Sequence, residues 1–197
     1  MGAASERPSS TDSAEGRLVV VSGPSGVGKS SIVDAVLERT GARFSVSATT
    51  RGPRPGETDG GDYHFVTLEE FEQMIGGDEL LEWARYGGHY YGTPRKPVVT
   101  ALATGENVIL DIENEGARHV TEAFPDAIGI FVVPPSLTEL ERRLRSRGDT
   151  DDGAITRRLG VAEQQIAEAP AIYDHLVVND DLTAAIEEVV KLVATVL

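Results

Sequence analysis

Residues 23–30 have the types and the spacing of a phosphate-binding loop. Their sequence, GPSGVGKS, matches G-x-x-x-x-G-K-[ST] at every fixed position. The glycines of such a loop let backbone N–H groups curl around a phosphate, and the following helix N-terminus adds partial positive charge. Lys29 can then reach the β- and γ-phosphates, while the Ser30 hydroxyl can ligate Mg²⁺. The residues expected to hold a nucleoside triphosphate are Gly23, Pro24, Ser25, Gly26, Val27, Gly28, Lys29 and Ser30.

The flanking segments have the order that this loop requires. Residues 17–22 form a β-branched run typical of a buried strand, and residues 31–39 have the apolar spacing of an amphipathic helix. A glycine-rich turn between a strand and a helix would explain the glycines. It would not explain why Lys29 and Ser30 follow the second fixed glycine, so we favour the phosphate site.

Strands and helices alternate along the rest of the chain. Further strands are predicted at 43–50, 62–66, 107–111, 128–133 and 175–179, and helices at 67–75, 93–104, 114–123, from Ser136 onward, at 154–167 and at 182–196. Ser/Thr-x-x-Glu capping boxes begin the helices at Thr67 and Ser136. The expected fold is α/β: a P-loop NTPase-type parallel sheet with helices on both faces, and with nucleotide bound at the carboxyl ends of the strands.

Asp111 ends the apolar strand predicted at 107–111. In a P-loop protein, a carboxylate at the end of a neighbouring strand can hold Mg²⁺ directly or through water. Asp111 and Ser30 are therefore the candidate metal ligands.

Two other segments could be functional or merely structural. Residues 79–93 are rich in aromatic side chains; we interpret Trp83 as a core residue, whereas the tyrosines suit either packing or binding. Six arginines fall between Arg142 and Arg158. A solvated helix–loop–helix corner would have this composition. So would a mobile lid that closes over a triphosphate, which we favour because of the phosphate-binding loop.

Composition excludes several classes of protein. The 197 residues suffice for one well-packed domain, and the formal net charge of −14 argues against a protein that coats nucleic acid. The chain has no cysteine, and its four histidines are too scattered to suggest a metal cluster. No apolar run suggests a membrane span or a signal segment, so we expect a cytoplasmic protein. Residues 1–16 are predicted to be a disordered extension.

Several stretches together resemble guanylate kinases. The most specific is the T-T-R-x-P-R-x-G-E run, residues 49–57. The others are residues 22–30, 61–65, 81–84, 90–93, 109–112, 134–136, 147–148 and 178–180. The resemblance implies phosphorylation of GMP by ATP with Mg²⁺, giving ADP and GDP. It also implies a core (17–46, 94–142 and 170–197), a small mixed α/β GMP-binding insertion (47–93) and a helical lid (143–169).

The resemblance assigns roles to individual residues. It implies that the GMP phosphate is held by Arg51, Arg54, Tyr63 and Tyr91. It implies that guanine is recognised by Ser47, Glu82 and Thr93. Thr93 stands where the family usually has serine. Glu113 stands where the family more often has aspartate, and the resemblance assigns it to contact with either GMP or the metal. Asn179 joins the ATP site. The residues assigned to phosphoryl transfer are Lys29, Arg51, Arg143, Arg147 and Arg158.

Two other functions remain open at this point. One is a guanylate-kinase-like module that binds protein partners without catalysis, although such modules tend to have damaged phosphate loops and this loop is intact. The other is a kinase for a different monophosphate or for a phosphorylated sugar, against which Glu82, Ser47 and the tyrosine pair argue. Protein partners and oligomeric state are not indicated by the sequence.

Overall fold

The structure of the chain is a computed structural model that describes residues 16–146 and 151–194. Within these residues the chain forms nine β-strands and seven α-helices. The strands are β1 (Leu18–Ser22), β2 (Arg43–Phe44), β3 (Ala48–Thr49), β4 (His64–Phe65), β5 (Leu80–Tyr86), β6 (His89–Pro94), β7 (Val108–Asp111), β8 (Ile128–Val133) and β9 (His175–Val178). The helices are α1 (Lys29–Thr40), α2 (Leu68–Gly76), α3 (Arg95–Ala103), α4 (Asn114–Ala123), α5 (Leu137–Ser146), α6 (Asp152–Glu168) and α7 (Leu182–Ala194).

Five strands form a parallel sheet in the order β2-β7-β1-β8-β9. The central strand β1 is buried along its whole length, which explains its run of β-branched apolar residues. Val21 pairs with Asp111 on one side and with Ile130 on the other. The loop after β1 therefore lies at the carboxyl edge of the sheet, beside the end of β7.

Helices cover both faces of this sheet, which confirms the predicted fold class. Successive side chains of a strand point to opposite faces, and β1 follows that rule. Leu18 and Val20 pack in a core with residues of α3 and α4. Val19 and Val21 pack in a second core with residues of α1 and α7.

A second sheet of four strands has the order β4-β3-β6-β5. It is mixed, because β3 runs parallel to β4 but antiparallel to β6. Helix α2 packs on it through the fully buried Phe71. The predicted capping box of α2 is confirmed: the Thr67 hydroxyl accepts from the Glu70 N–H at 3.2 Å, and the Glu70 carboxylate accepts from the Thr67 N–H at 2.7 Å.

Helices α5 and α6 share a small apolar core of their own. Leu140 and Leu144 of α5 pack against Ile155 and Ala162 of α6. These two helices carry the segment predicted to be a lid, and the motion of that segment stays a prediction. Residues 147–150, which include Arg147, lie outside the described residues.

The strand predicted at 43–50 is wrong, because the chain forms two short strands in different sheets. Phe44 pairs with Ile109 in the parallel sheet, and Ala48 pairs with Gly92 in the mixed sheet. The Ser45 N–H still bonds to the carbonyl of Ile109 at 3.0 Å, after which the chain leaves the first sheet. β-Branched residues suit both sheets equally, so propensity alone concealed the break.

Trp83 is not the core residue that was predicted. Its neighbour Glu82 faces inward on β5, so the two-residue period of the strand turns Trp83 to the opposite face. There the Trp83 ring lies 5.8 Å from the ring of Tyr90, and 40% of the residue is exposed.

Two predicted element ends and one predicted helix cap also differ from the structure. Thr93 and Pro94 belong to β6 rather than to a helix, because Thr93 pairs with Glu82 and α3 begins at Arg95. The Ser136 hydroxyl accepts from the Glu139 N–H as predicted, but the Glu139 carboxylate bonds to arginines of its own helix instead of completing a capping box. Gly16, predicted to be disordered, donates to the Leu102 carbonyl at 2.8 Å; residues 1–15 are not described.

Candidate active site

The loop between β1 and α1 has the conformation that its glycines permit. Gly26 and Gly28 have φ angles of 90° and 97°, in the left-handed region that favours glycine. A Cβ on Gly28 would lie 2.5 Å from Nδ2 of Asn179. That amide nitrogen donates to the Val27 carbonyl at 2.7 Å. Asn179, directly after β9, therefore supports the loop from behind.

Lys29, the first residue of α1, forms an ion pair with Asp111 at the end of β7. The distance from Nζ to Oδ1 is 2.5 Å. Burial alone would lower the pKa of Lys29, but Asp111 and Glu113 outweigh it and leave the pKa raised. The ammonium group is thus charged and lies beside two carboxylates, at the carboxyl edge of the sheet.

Glu113 faces the same cleft and is tied to α6. Burial raises the pKa of Glu113, while Lys29 acts in the opposite direction. Nε2 of Gln165 donates a hydrogen bond to Oε2 of Glu113. Gln165 of α6 thereby contacts one of the two carboxylates, Asp111 and Glu113, that lie beside Lys29.

Arg51 lies across the cleft and is held by a carboxylate and two aromatic rings. Its guanidinium makes two hydrogen bonds of 2.9 Å to Glu57, and the two side chains are only 11% and 17% exposed. The guanidinium carbon lies 5.3 Å from the ring centre of Tyr63 and 5.8 Å from that of Phe65. Hydrogen bonding to Arg51 holds the pKa of Glu57 below its usual range. Arg51 is therefore oriented before any ligand arrives.

Two tyrosines and a second arginine complete this wall. The rings of Tyr63 and Tyr91 meet edge to face, with their centres 6.0 Å apart. The backbone N–H of Arg54 donates to the Glu57 carboxylate at 2.7 Å, and the side chain of Arg54 lines the cleft. Guanidinium groups and phenol hydroxyls are suitable donors for phosphate oxygens.

Glu82 of β5 is a buried carboxylate that lines the cleft. It is 6% exposed, and its Oε1 accepts a hydrogen bond of 2.6 Å from the Thr93 hydroxyl. Burial raises the pKa of Glu82. The hydrogen bond from Thr93 and the electrostatic effect of His119 partly offset this rise. Ser47 lines the cleft as well. A carboxylate in such a place can accept two adjacent N–H groups from a ligand.

Of the arginines assigned to the lid side, Arg158 lines the cleft, whereas Arg143 lies behind the phosphate-binding loop. The Arg143 guanidinium donates to the carbonyls of Asn179 at 3.0 Å and Val27 at 3.5 Å. It also donates to the Glu139 carboxylate at 2.8 Å. Arg147 lies outside the described residues, and contact of any of the three with a transferring phosphoryl group stays a prediction.

One cleft of about 600 Å³ brings most of the predicted site residues together. Those that line it are Gly23, Pro24, Ser25, Gly26, Gly28, Lys29, Ser30, Ser47, Arg51, Arg54, Tyr63, Glu82, Tyr91, Asp111, Glu113 and Arg158. Val27, a residue of the loop itself, does not line the cleft; its carbonyl accepts from Asn179 and Arg143, which support the loop from behind. Thr93 supports Glu82.

The residues that shape the site and that were missed in the sequence include Glu57, Tyr86 and Gln165. Glu57 belongs to the T-T-R-x-P-R-x-G-E run, so an acid six residues after Arg51 was the available signal. Tyr86 lines the cleft from the end of β5, and burial raises its pKa. Gln165 is separated from Glu113 by 52 positions, and no local pattern indicates that contact.

The parallel sheet, the glycine loop leading into α1 and the Lys29–Asp111 pair define a P-loop nucleotide-binding protein. The chain belongs to the guanylate kinase family, because the family profile described as guanylate kinase matches residues 15–196. It is 52% identical over 182 residues to a guanylate kinase of Synechocystis sp., covering 92% of this chain and 95% of that protein. It is 55% identical over 168 residues to one of Thermosynechococcus vestitus, covering 85% and 87%.

A solved structure agrees with these relatives. The crystal structure of guanylate kinase from Anaplasma phagocytophilum superposes with a TM-score of 0.77 at 32% identity, covering 92% of this chain and 86% of that one. Among the helices in the two described ranges, none is long and apolar enough to cross a membrane.

Proposed function

We propose that the chain transfers the γ-phosphoryl group of ATP to GMP, giving ADP and GDP, as a step of purine nucleotide metabolism. The observation that carries this proposal is the cleft itself. It is lined by the phosphate-binding loop that follows β1, by the oriented arginine Arg51 and by the buried carboxylate Glu82. The family membership and the names of the relatives support the same reaction.

The ATP phosphates would bind along the loop of residues 23–30. Backbone N–H groups and the N-terminus of α1 provide the donors, and Lys29 provides a full positive charge. Asn179 would act indirectly, through its hydrogen bond to the Val27 carbonyl. To reach the phosphates, the ammonium group of Lys29 would exchange part of its contact with Asp111.

GMP would bind to the mixed sheet. Arg51, Arg54, Tyr63 and Tyr91 would hold its phosphate through charge-assisted and neutral hydrogen bonds. Ser47, Glu82 and Thr93 would recognise guanine, since the Glu82 carboxylate can accept both from N1–H and from the 2-amino group. Glu113, which lies beside Lys29, is the remaining residue that we propose to contact GMP. In this proposal, residues 47–93 are the GMP-binding insertion and residues 17–46, 94–142 and 170–197 are the core.

The residues at the sheet edge fit the Mg²⁺ that accompanies ATP. Mg²⁺ prefers oxygen ligands and is commonly bound by one or two protein groups together with substrate phosphates. The Ser30 hydroxyl and the Asp111 carboxylate both offer oxygen ligands, and both residues line the cleft. When bound, Mg²⁺ neutralises charge on the β- and γ-phosphates. Within the described residues no three acidic or histidine side chains converge on a metal site, so the phosphates would complete the coordination.

Catalysis would consist of positioning and charge neutralisation, because phosphoryl transfer needs little covalent chemistry from the protein. The groups proposed to stabilise the transferring phosphoryl group are Lys29, Arg51, Arg143, Arg147 and Arg158. The lid, residues 143–169, would close over ATP and exclude water that would otherwise hydrolyse it. Location in the cytoplasm stays a prediction.

A coupled assay of ADP formation tests the proposal. The purified chain is given ATP and Mg²⁺ with GMP, AMP, CMP or UMP in turn. We expect rapid ADP formation with GMP, at least about 10³-fold higher kcat/KM than with AMP, and little ADP without an acceptor. Absence of turnover with GMP would contradict the proposal and would favour a non-catalytic binding module. A preference for another monophosphate would assign a different substrate.

A further inference from the structure

Gly116, the third residue of α4, lies directly against the carboxylate of Glu82. A Cβ built on Gly116 would lie 2.3 Å from Oε2, 2.9 Å from Cδ and 3.6 Å from Cγ of Glu82. Non-bonded carbon and oxygen atoms do not approach to 2.3 Å, so no larger residue fits beside Glu82 as it stands. Glu82 can keep its position only because residue 116 has no side chain.

The backbone does not explain this glycine. Gly116 lies within a regular α-helix and is not one of the glycines with positive φ. Alanine is the better helix former at such a position. The glycine is therefore unfavourable for the helix itself, and the space that it leaves is taken by the Glu82 carboxylate.

We infer that Gly116 is a specificity-determining positioning residue, which fixes the Glu82 carboxylate for guanine by leaving room for it. This inference rests on the function proposed above. The carboxylate is then confined from two sides. The Thr93 hydroxyl holds Oε1 at 2.6 Å, and the backbone of α4 at Gly116 limits the position of Oε2. A ligand that presents two adjacent N–H groups needs both oxygens in place.

A methyl group at position 116 would move the side chain of Glu82 rather than the fold. The three heavy atoms nearest to it all belong to the outer part of the Glu82 side chain, and none of the three belongs to the backbone. Rotation of that side chain relieves the clash and withdraws the carboxylate from Thr93 and from the guanine position. In a preorganised site, even such a small displacement of the carboxylate is expected to cause a large loss of activity.

The first test is Gly116→Ala with Gly76→Ala as its matched control. Gly76 is also helical, and nothing lies within 4 Å of a Cβ built on it. For Gly116→Ala we expect kcat/KM for GMP to fall about 10- to 100-fold, mainly through KM, with a reduced preference for GMP over AMP. KM for ATP and the melting temperature should stay near those of the parent. Gly76→Ala should leave the kinetic values unchanged and should keep or slightly raise the melting temperature, because alanine is the better helix former.

A double-mutant cycle with Glu82→Ala separates positioning from a general structural effect. Glu82→Ala removes all three of the heavy atoms that lie nearest to the methyl group. In that background, Gly116→Ala should change kcat/KM for GMP by less than about twofold, because the two changes act through one contact. An equal loss in both backgrounds, an unfolded Gly116→Ala protein or an unchanged GMP preference would overturn the inference. A parent chain that does not phosphorylate GMP would instead overturn the proposed function.

Discussion

Glu82 and Thr93 face each other across the β5–β6 pair, and the Thr93 hydroxyl donates to Oε1 of Glu82 over 2.6 Å. Both side chains are buried, and Glu82 lies at the wall of the cleft. A hydrogen bond to one carboxylate oxygen restricts rotation of the group. The arrangement therefore keeps a buried negative charge oriented toward a ligand, at the cost of its solvation.

Replacing that charge should weaken selection of guanine. Glu82→Gln keeps the size of the side chain but removes the charge and one acceptor. We expect kcat/KM for GMP to fall about 10- to 1000-fold, roughly 1.4–4 kcal/mol, and the GMP:AMP ratio to fall with it. Steady-state kinetics with both nucleotides measures this, with Glu72→Gln on the exposed face of α2 as control. A GMP:AMP ratio equal to that of the parent would mean that guanine is recognised elsewhere.

GMP affinity should depend on pH through the same carboxylate. Burial raises the pKa of Glu82 above its usual 4.5, so the protonated form appears at a higher pH than for an exposed glutamate. Protonation removes an acceptor, and KM for GMP should therefore rise as the pH falls from neutral toward 4.5. Glu82→Gln has no such proton to bind, so its KM profile should be flatter. Identical profiles for the two proteins would show that another group controls binding.

The Arg51–Glu57 pair should matter for GMP and not for ATP. Glu57→Gln keeps the shape of the partner but weakens two charge-assisted hydrogen bonds, so Arg51 is less well oriented. We expect KM for GMP to rise about tenfold, with KM for ATP unchanged. Glu106→Gln is the matched control, because it weakens a similar paired contact with Arg43 outside the cleft. A lower KM for GMP in Glu57→Gln would instead indicate that Glu57 competes with the phosphate for Arg51.

Arg158 should affect turnover more than ATP affinity. Its side chain lines the cleft, and a guanidinium group that closes over the transferring phosphoryl group acts mainly in the transition state. Arg158→Ala should lower kcat by about 10²-fold or more and change KM for ATP by only a few-fold. The neighbouring Arg157, which does not line the cleft, provides the control. Equal kcat values for Arg158→Ala and Arg157→Ala would support a solvated corner.

The sequence predicted the elements whose signals are local. The glycine loop, the buried run of β1 and the capping box at Thr67 each follow from neighbouring residues, and all three are confirmed. The carboxyl end of β7 was predicted for the same reason, since Asp111 directly ends an apolar run. Each of these features depends on a backbone preference within a few residues.

The remaining features depend on tertiary contacts that local patterns do not encode. The strand predicted at 43–50 is divided because Ala48 finds partners in a different sheet. Trp83 is exposed because burial of Glu82 determines which way β5 faces. Nothing in the sequence near Gly116 indicates that the fold brings Glu82 against it. Such contacts join residues far apart in the chain, so a single sequence gives no sign of them.

The most direct measurement is phosphorus NMR of the purified chain mixed with ATP, Mg²⁺ and GMP, carried out in parallel on Lys29→Ala. We expect the parent to convert the γ-phosphate of ATP into the β-phosphate of GDP, with no accumulation of free phosphate. Lys29→Ala should lose at least about 10³-fold in rate while keeping the circular dichroism of the parent, since Lys29 supplies charge to the phosphates. Lys96→Ala, on the exposed side of α3, should keep the parental rate. Formation of GDP at a near-parental rate by Lys29→Ala, or its absence in the parent, would contradict phosphoryl transfer to GMP at this cleft.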